Sequence, residues 1–81
     1  METRVLLFGP PAIDAATDSI TVTTPDAPDC SQMVAAISDQ FPLLRKHAKA
    51  ARLAVNGRYG DDASRIGPGD EVALICMVSG G

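Results

Sequence analysis

The sequence predicts an α+β fold, a mixed sheet packed on one main helix, and three observations lead there. Strand-like segments flank a single stretch of helical period, the segments follow the order ββαβ(β)β, and 81 residues leave room for one core. A domain of this size buries only about 60 to 65% of the surface its unfolded chain exposes, so any second apolar surface is conspicuous.

Residues 3–9, Thr-Arg-Val-Leu-Leu-Phe-Gly, read as the first strand. Pro10-Pro11 ends it, because proline donates no ladder hydrogen bond. Residues 12–17 fit a short helical turn. Residues 19–24, Ser-Ile-Thr-Val-Thr-Thr, alternate and are rich in β-branched side chains, which predicts the second strand of a hairpin, stopped by Pro25 and Pro28. The period then changes: Met33, Val34, Ile37, Phe41 and Leu44 recur at helical spacing. Asp29 with Gln32, or alternatively Ser31, supplies the N-cap. Pro42 biases the preceding residue away from αR, so the helix is expected to stop near Gln40, with a second short turn after it. Leu53-Ala54-Val55 reads as a strand ending at the Asn56-Gly57 turn, with Arg58-Tyr59 returning. Ile66 falls in the following loop, and Gly67-Pro68-Gly69-Asp70 turns the chain into a last strand from Glu71.

Composition narrows the functions. With 46% hydrophobic but only 4% aromatic residues, aliphatic side chains must fill the core, and Phe8, Phe41 and Tyr59 are the large rings. A net charge of −3 argues against a nucleic-acid surface, which rests on clustered Lys and Arg. Four of the seven basic residues do cluster, as Arg45, Lys46, Lys49 and Arg52. They read as a solvated helix end complementing the dipole, or alternatively as a match for a partner's acidic patch. Cys30 and Cys76 form no CxxC pair and make no zinc site with the lone His47. Both are expected to be reduced, with Cys76 buried in the last strand. No signal-peptide pattern or membrane-length apolar run is present, which predicts a cytoplasmic protein.

One helix covers one sheet face, so strands should alternate apolar and polar side chains. Two strands do not: residues 5–8 and 72–78 are apolar at consecutive positions. In-line alternation places Val5, Leu7, Val72, Leu74 and Cys76 under the helix and Leu6, Phe8, Ala73, Ile75 and Met77 on the opposite face. That second face must meet a partner, unless these residues complete the core or lie under a loop.

The last apolar run leads directly into Ser79-Gly80-Gly81. Two glycines put no side chain beside the terminal carbonyl and let the backbone lie in a narrow channel. At average usage such a pair ends roughly 0.5% of chains by chance, so it needs support from the rest of the sequence. The Leu53-Ala-Val-Asn-Gly57 segment, the Gly69-Asp-Glu-Val-Ala73 lead-in and the Val78-Ser-Gly-Gly81 ending supply it. Together with the element order they resemble the molybdopterin synthase small-subunit family, sulfur carriers of the β-grasp (ubiquitin-like) fold. The likeness spans essentially the whole chain, with residues 1–78 as the β-grasp domain and 79–81 as a flexible diglycine tail. Where that family often has an aromatic pair followed by prolines, this chain has Ile75-Cys76-Met77-Val78. Related carriers for thiamine or cysteine synthesis, and ubiquitin-like protein modifiers, share the fold and the diglycine. The connection over residues 10–18 is of the molybdopterin type.

The resemblance implies a non-catalytic carrier with no tightly bound cofactor. An E1-like adenylyltransferase would use ATP to adenylate Gly81, and a sulfur derived from a persulfide donor would displace AMP to leave a thiocarboxylate. The tail, Ser79, Gly80 and Gly81, would then enter the synthase large subunit within a heterotetramer. There a Lys or Arg would receive the terminus, and sulfur would pass to cyclic pyranopterin monophosphate to build the dithiolene of molybdopterin. Phe8, Tyr59 and Ile75 match the family's hydrophobic contact positions, with Leu6 and Met77 on the same face.

Overall fold

The computed structural model describes residues 1–76; residues 77–81, which include Met77 and the Ser79-Gly80-Gly81 ending, lie outside the described residues. The elements are β1 (Glu2–Leu7), α1 (Pro10–Ala15), β2 (Ser19–Thr23), α2 (Cys30–Gln40), a 3₁₀ turn (Pro42–Leu44), α3 (Arg45–Ala50), β3 (Ala51–Val55), β4 (Arg58–Tyr59) and β5 (Val72–Cys76). They build a five-stranded mixed sheet of order β2-β1-β5-β3-β4, in which β1 and β5 are parallel neighbours and the other pairs antiparallel.

The first strand is shorter than expected, and the proline pair explains why. Gly9 takes φ 63° and Pro10 occupies the first position of α1, where its missing N–H costs nothing and its fixed φ suits the helix. The prolines therefore open α1 two residues earlier than the sequence reading places it. Helix α2 begins with a capping box: the Gln32 N–H donates to Asp29 Oδ1 at 2.7 Å, and the Asp29 N–H donates to Gln32 Oε1 at 2.9 Å. This decides between the two cap candidates in favour of Asp29. The helix ends at Gln40, as Pro42 requires.

The side chain of Gln40 then reaches the outer edge of β2. It accepts the Thr23 N–H at 3.0 Å and donates to the Thr23 carbonyl at 2.6 Å. At the other end of that strand the Thr17 hydroxyl accepts the Ser19 N–H at 3.4 Å and donates to the Ser19 carbonyl at 3.0 Å.

Val5, Leu7, Ile20, Val22, Met33, Ile37, Leu44, Leu53, Val72 and Leu74 form the core between the sheet and α2. Ile66, which the sequence leaves in a loop, is fully buried among them. Its N–H donates to the Pro28 carbonyl at 2.8 Å, so the long β4–β5 connection is pinned to the entrance of α2. The basic stretch after Pro42 holds more structure than one short turn. It contains the 3₁₀ turn and all of α3, which Ala48 anchors in the core. His47 also anchors α3, with Nε2 2.6 Å from Asp14 Oδ2 of α1. That contact holds the Asp14 carboxyl below the ordinary range, assisted by Lys46.

Cys30 is buried, but Cys76 is only half-buried, against expectation. It stands at the last described position of β5, opposite the half-buried Ala51, where the core thins. Gly60 is fixed by contact with Cys30: a methyl group at Gly60 would lie 2.7 Å from Cys30 Sγ. Gly60→Ala is therefore expected to cost about 1 to 3 kcal/mol in urea unfolding. Adding Cys30→Ala should remove most of that cost, so that the double variant is more stable than additivity allows. Strict additivity would refute the contact.

Candidate functional site: the uncovered sheet face

Strand register determines which side chains share the face that α2 leaves uncovered. Leu6 pairs with Ala73, Ala73 with Ala54, and Ala54 with Tyr59, which makes one apolar row across four strands. The next row holds Ile75 opposite Arg52. Extending the β1–β5 register one residue past Leu7 sets Phe8 beside Ile75. The predicted face assignment holds for Val5, Leu7, Val72 and Leu74, which are buried, while Cys76, expected with them, is half-buried; on the opposite face Leu6, Ala73 and Ile75 are half-buried, and Phe8 is 55% exposed. Tyr59 is 54% exposed, with the Arg52 guanidinium 5.0 Å from its ring centroid, a cation–π contact between diagonal neighbours.

Of the residues picked from the sequence, Leu6, Phe8, Tyr59 and Ile75 thus come together on one surface. Met77, Ser79, Gly80 and Gly81 are not among the described residues. Sequence reasoning missed Ala54, and it grouped Arg52 with the helix end when it is a strand residue of this face. The small Ala73 and Ala54 leave a shallow floor between Leu6 and Tyr59. Only the register could have revealed that.

Two of the segments that carry the resemblance, the one ending in Asn56-Gly57 and the one opening at Gly69-Asp70, prove to be one clasp. Asn56 and Gly57 take φ 53° and 81°, as a type I′ hairpin turn demands. The Asn56 side chain accepts the Glu71 N–H at 3.0 Å and donates to Asp70 Oδ1 at 3.1 Å, while Asp70 Oδ2 accepts the Gly67 N–H at 2.7 Å. The Asn-Gly turn and the Gly-Asp-Glu-Val run thereby fix where β5 starts.

The Gly67 N–H first, and the Asn56 amide second, hold the Asp70 carboxyl below the ordinary carboxylate range. A depressed folded-state pKa contributes stability that is present above the unfolded pKa and is lost as pH falls through the folded one. Acid should therefore loosen the clasp as pH falls below the ordinary carboxylate range. Asp70→Asn, which cannot titrate, is expected to shrink the acid loss of stability measured by urea unfolding at several pH values. An unchanged acid profile would show that Asp70 takes no part in it.

Neither thiol is poised for chemistry. Burial pushes the Cys30 thiol up, with Asp29, Asp62 and Asp61 adding to the rise, and burial pushes the Cys76 thiol up as well. Both stay protonated at neutral pH, and the thiol form is a poor nucleophile. No helix among the described residues is long and apolar enough to cross a membrane.

A mixed sheet in this strand order, gripping one helix and presenting an apolar back face, defines a β-grasp protein of the ubiquitin-like class. The ThiS family model matches residues 5–81, and the chain belongs to that family. It is 32% identical to the molybdopterin synthase sulfur carrier subunit of Mycobacterium tuberculosis, with 100% of this chain and 99% of that protein covered. SAMP1 of Haloferax volcanii superposes with a TM-score of 0.81 at 21% identity, over 100% of both chains. A chain from the complex of subunits 1 and 2 of the molybdopterin-converting factor of Helicobacter pylori superposes with a TM-score of 0.68 at 22% identity, again over 100% of both. At these identities the two structures establish the common fold.

Proposed function

We propose that the chain is the sulfur carrier of a molybdopterin synthase. The observation that carries this reading is the end-to-end match with the Mycobacterium tuberculosis carrier subunit, which includes the Gly80-Gly81 ending. A carboxylate is a poor electrophile, so it must be activated before sulfur can replace oxygen. In the proposed cycle a Gly81 carboxylate oxygen attacks the α-phosphorus of ATP on an E1-like adenylyltransferase, and pyrophosphate leaves. The terminal sulfur of a persulfide then attacks the acyl carbon and AMP leaves. Cleavage of the resulting acyl disulfide by a thiol yields the thiocarboxylate and a disulfide. In the large subunit this sulfur attacks a carbon of the pterin precursor and displaces an oxygen substituent there, and water then attacks the acyl carbon, so that the acyl carbon–sulfur bond breaks, sulfur stays on the pterin and the Gly81 carboxylate returns. Each dithiolene takes two sulfurs, so the carrier must be loaded twice per product.

The uncovered face of Leu6, Phe8, Ala73, Ile75 and Tyr59 is the docking surface in this reading. Docking beside the root of the tail would offset the entropy lost when the tail enters a channel. The Helicobacter pylori structure is a complex of subunits 1 and 2 of a molybdopterin-converting factor, which supports a large-subunit partner here. We place the carrier with that partner in a heterotetramer.

Intact mass of the protein recovered from cells tests the function. A thiocarboxylate makes the chain heavier by the difference between one sulfur and one oxygen. A second reading, a protein modifier, is favoured by the fold shared with SAMP1, a small archaeal modifier protein. It would instead add the mass of a target joined through a lysine. The unmodified acid alone, in cells actively making molybdopterin, would refute the carrier cycle.

A further inference from the structure

The basic cluster singled out in the sequence plays no part in the sheet face, and its surroundings assign it a role. Pro42, Leu43, Arg45, Lys46 and Lys49 line an open groove of about 500 Å³ on the helix side of the molecule. Leu43 is 69% exposed within it, and Ile13, on the neighbouring α1, is 77% exposed. A dipole-complementing helix end accounts for Lys49 in the last turn of α3, but not for Arg45, which stands at the first position of that helix, where the dipole disfavours a cation. Nor does it account for an exposed leucine set among the cations. Lys46 lies 3.6 Å from Asp14, whereas Arg45 and Lys49 form no ion pair among the described residues. In a chain of net charge −3 this is a local reversal of sign around an apolar centre.

Position adds to composition. Helix α3 runs directly into β3, whose first residue, Ala51, pairs with Cys76 at the end of β5. The helix that carries Arg45 and Lys49 therefore ends beside Cys76, the last described residue of β5, on the side of the sheet opposite the face of Phe8 and Ile75.

We propose that the groove of Leu43, Arg45 and Lys49 docks an acidic protein segment, carboxylates flanking an apolar side chain, on an enzyme that engages the C-terminal tail. This rests on the carrier function proposed above, and it adds a second contact surface and the chemistry of its partner. Carboxylates meet Arg45 and Lys49, and an apolar side chain sits on Leu43 and Pro42. Charge steers the encounter, and the apolar contact slows departure. Nucleic acid is the wrong partner for this groove, which has no aromatic side chain for stacking and belongs to an acidic protein.

The test uses the full chain as wild type, as Arg45→Glu/Lys49→Glu and as Leu43→Ser; all three positions are exposed, and thermal unfolding checks that each variant folds. Association and dissociation rates are measured with the adenylyltransferase and with the large subunit from the same source. The charge reversal should slow association with at least one of them by about tenfold at low salt, and the difference should close as salt is raised. Leu43→Ser should speed dissociation. In parallel, a synthetic peptide of alternating Glu and Leu is titrated into labelled protein, and the amide signals of Leu43, Arg45 and Lys49 should move most. Wild-type rates in both variants would overturn the docking site, as would peptide shifts centred elsewhere or tighter binding of an RNA oligomer at the same groove. Thiocarboxylate formation on Gly81, read in the same samples, separates the two claims. If it forms while the variants bind as wild type, the docking site falls and the carrier function stands. If it does not form and neither enzyme binds, the carrier function falls and the peptide titration alone decides the groove.

Discussion

Removal of Gly81 is expected to abolish sulfur transfer and to leave thermal stability unchanged. Among the described residues the buried core ends at Leu74, seven positions before Gly81. The proposed cycle, by contrast, loses the carboxylate at the length its channel fits. Extension past Gly81 should have the same effect for the same reason. Gly80→Ala should be silent in the free protein and harmful in the complex, because a methyl group is added where backbone passes closely. Dithiolene product and melting temperature measured on the same samples check all three, and full product yield from the truncated chain would sink the carrier mechanism.

Leu74→Ala is expected to do the reverse. Leu74 has no exposed surface and sits at the centre of the sheet, paired with Leu7 on one side and Leu53 on the other. Truncation leaves a cavity that neighbours fixed by two strands cannot fill, at a cost of about 2 to 5 kcal/mol. Much of the stability of so small a domain is then gone. Phe8→Ala and Ile75→Ala, each one residue on from the Leu7–Leu74 pair and so on the uncovered face, should weaken binding to the large subunit more than they lower the melting temperature. A Phe8→Ala protein that unfolds beside a stable Leu74→Ala protein would mean that the faces are inverted.

These contrasts show what the sequence could reveal. Element order, the Asp29 cap, the stop at Gln40 and the Asn56-Gly57 hairpin are local matters, written in spacing and turn chemistry that hold before the chain is packed. The doubled apolar runs revealed Leu6, Phe8 and Ile75 because a strand with both faces apolar contradicts a sheet with a single covering helix. Tertiary facts were out of reach. Nothing around Ile66 signals that its loop folds back beneath α2, and His47 reads as a lone histidine until α1 and α3 are brought together around Asp14. Arg52 looks like part of a basic helix end until register sets it over Tyr59. Helix α3 was underestimated because six residues starting with Arg45 carry little periodicity, and Ala48 alone ties them to the core.

The hydrogen bonds of Thr17 and Gln40 to the outside of β2 bear on how this protein lives among copies of itself. An unpaired strand border is a template on which another chain can add a strand, and repeated addition grows fibrils. Here the amide and carbonyl of Ser19 are occupied at one end and those of Thr23 at the other. Thr21 is left between two blocked neighbours, too short a stretch to seed a new strand. The opposite border, β4, is two residues long. Among the described residues both borders of the sheet are thus occupied or short, which leaves its uncovered back and its helical front for other contacts. In the proposed cycle, where the carrier is released and reloaded many times, the chain can then be abundant without polymerising.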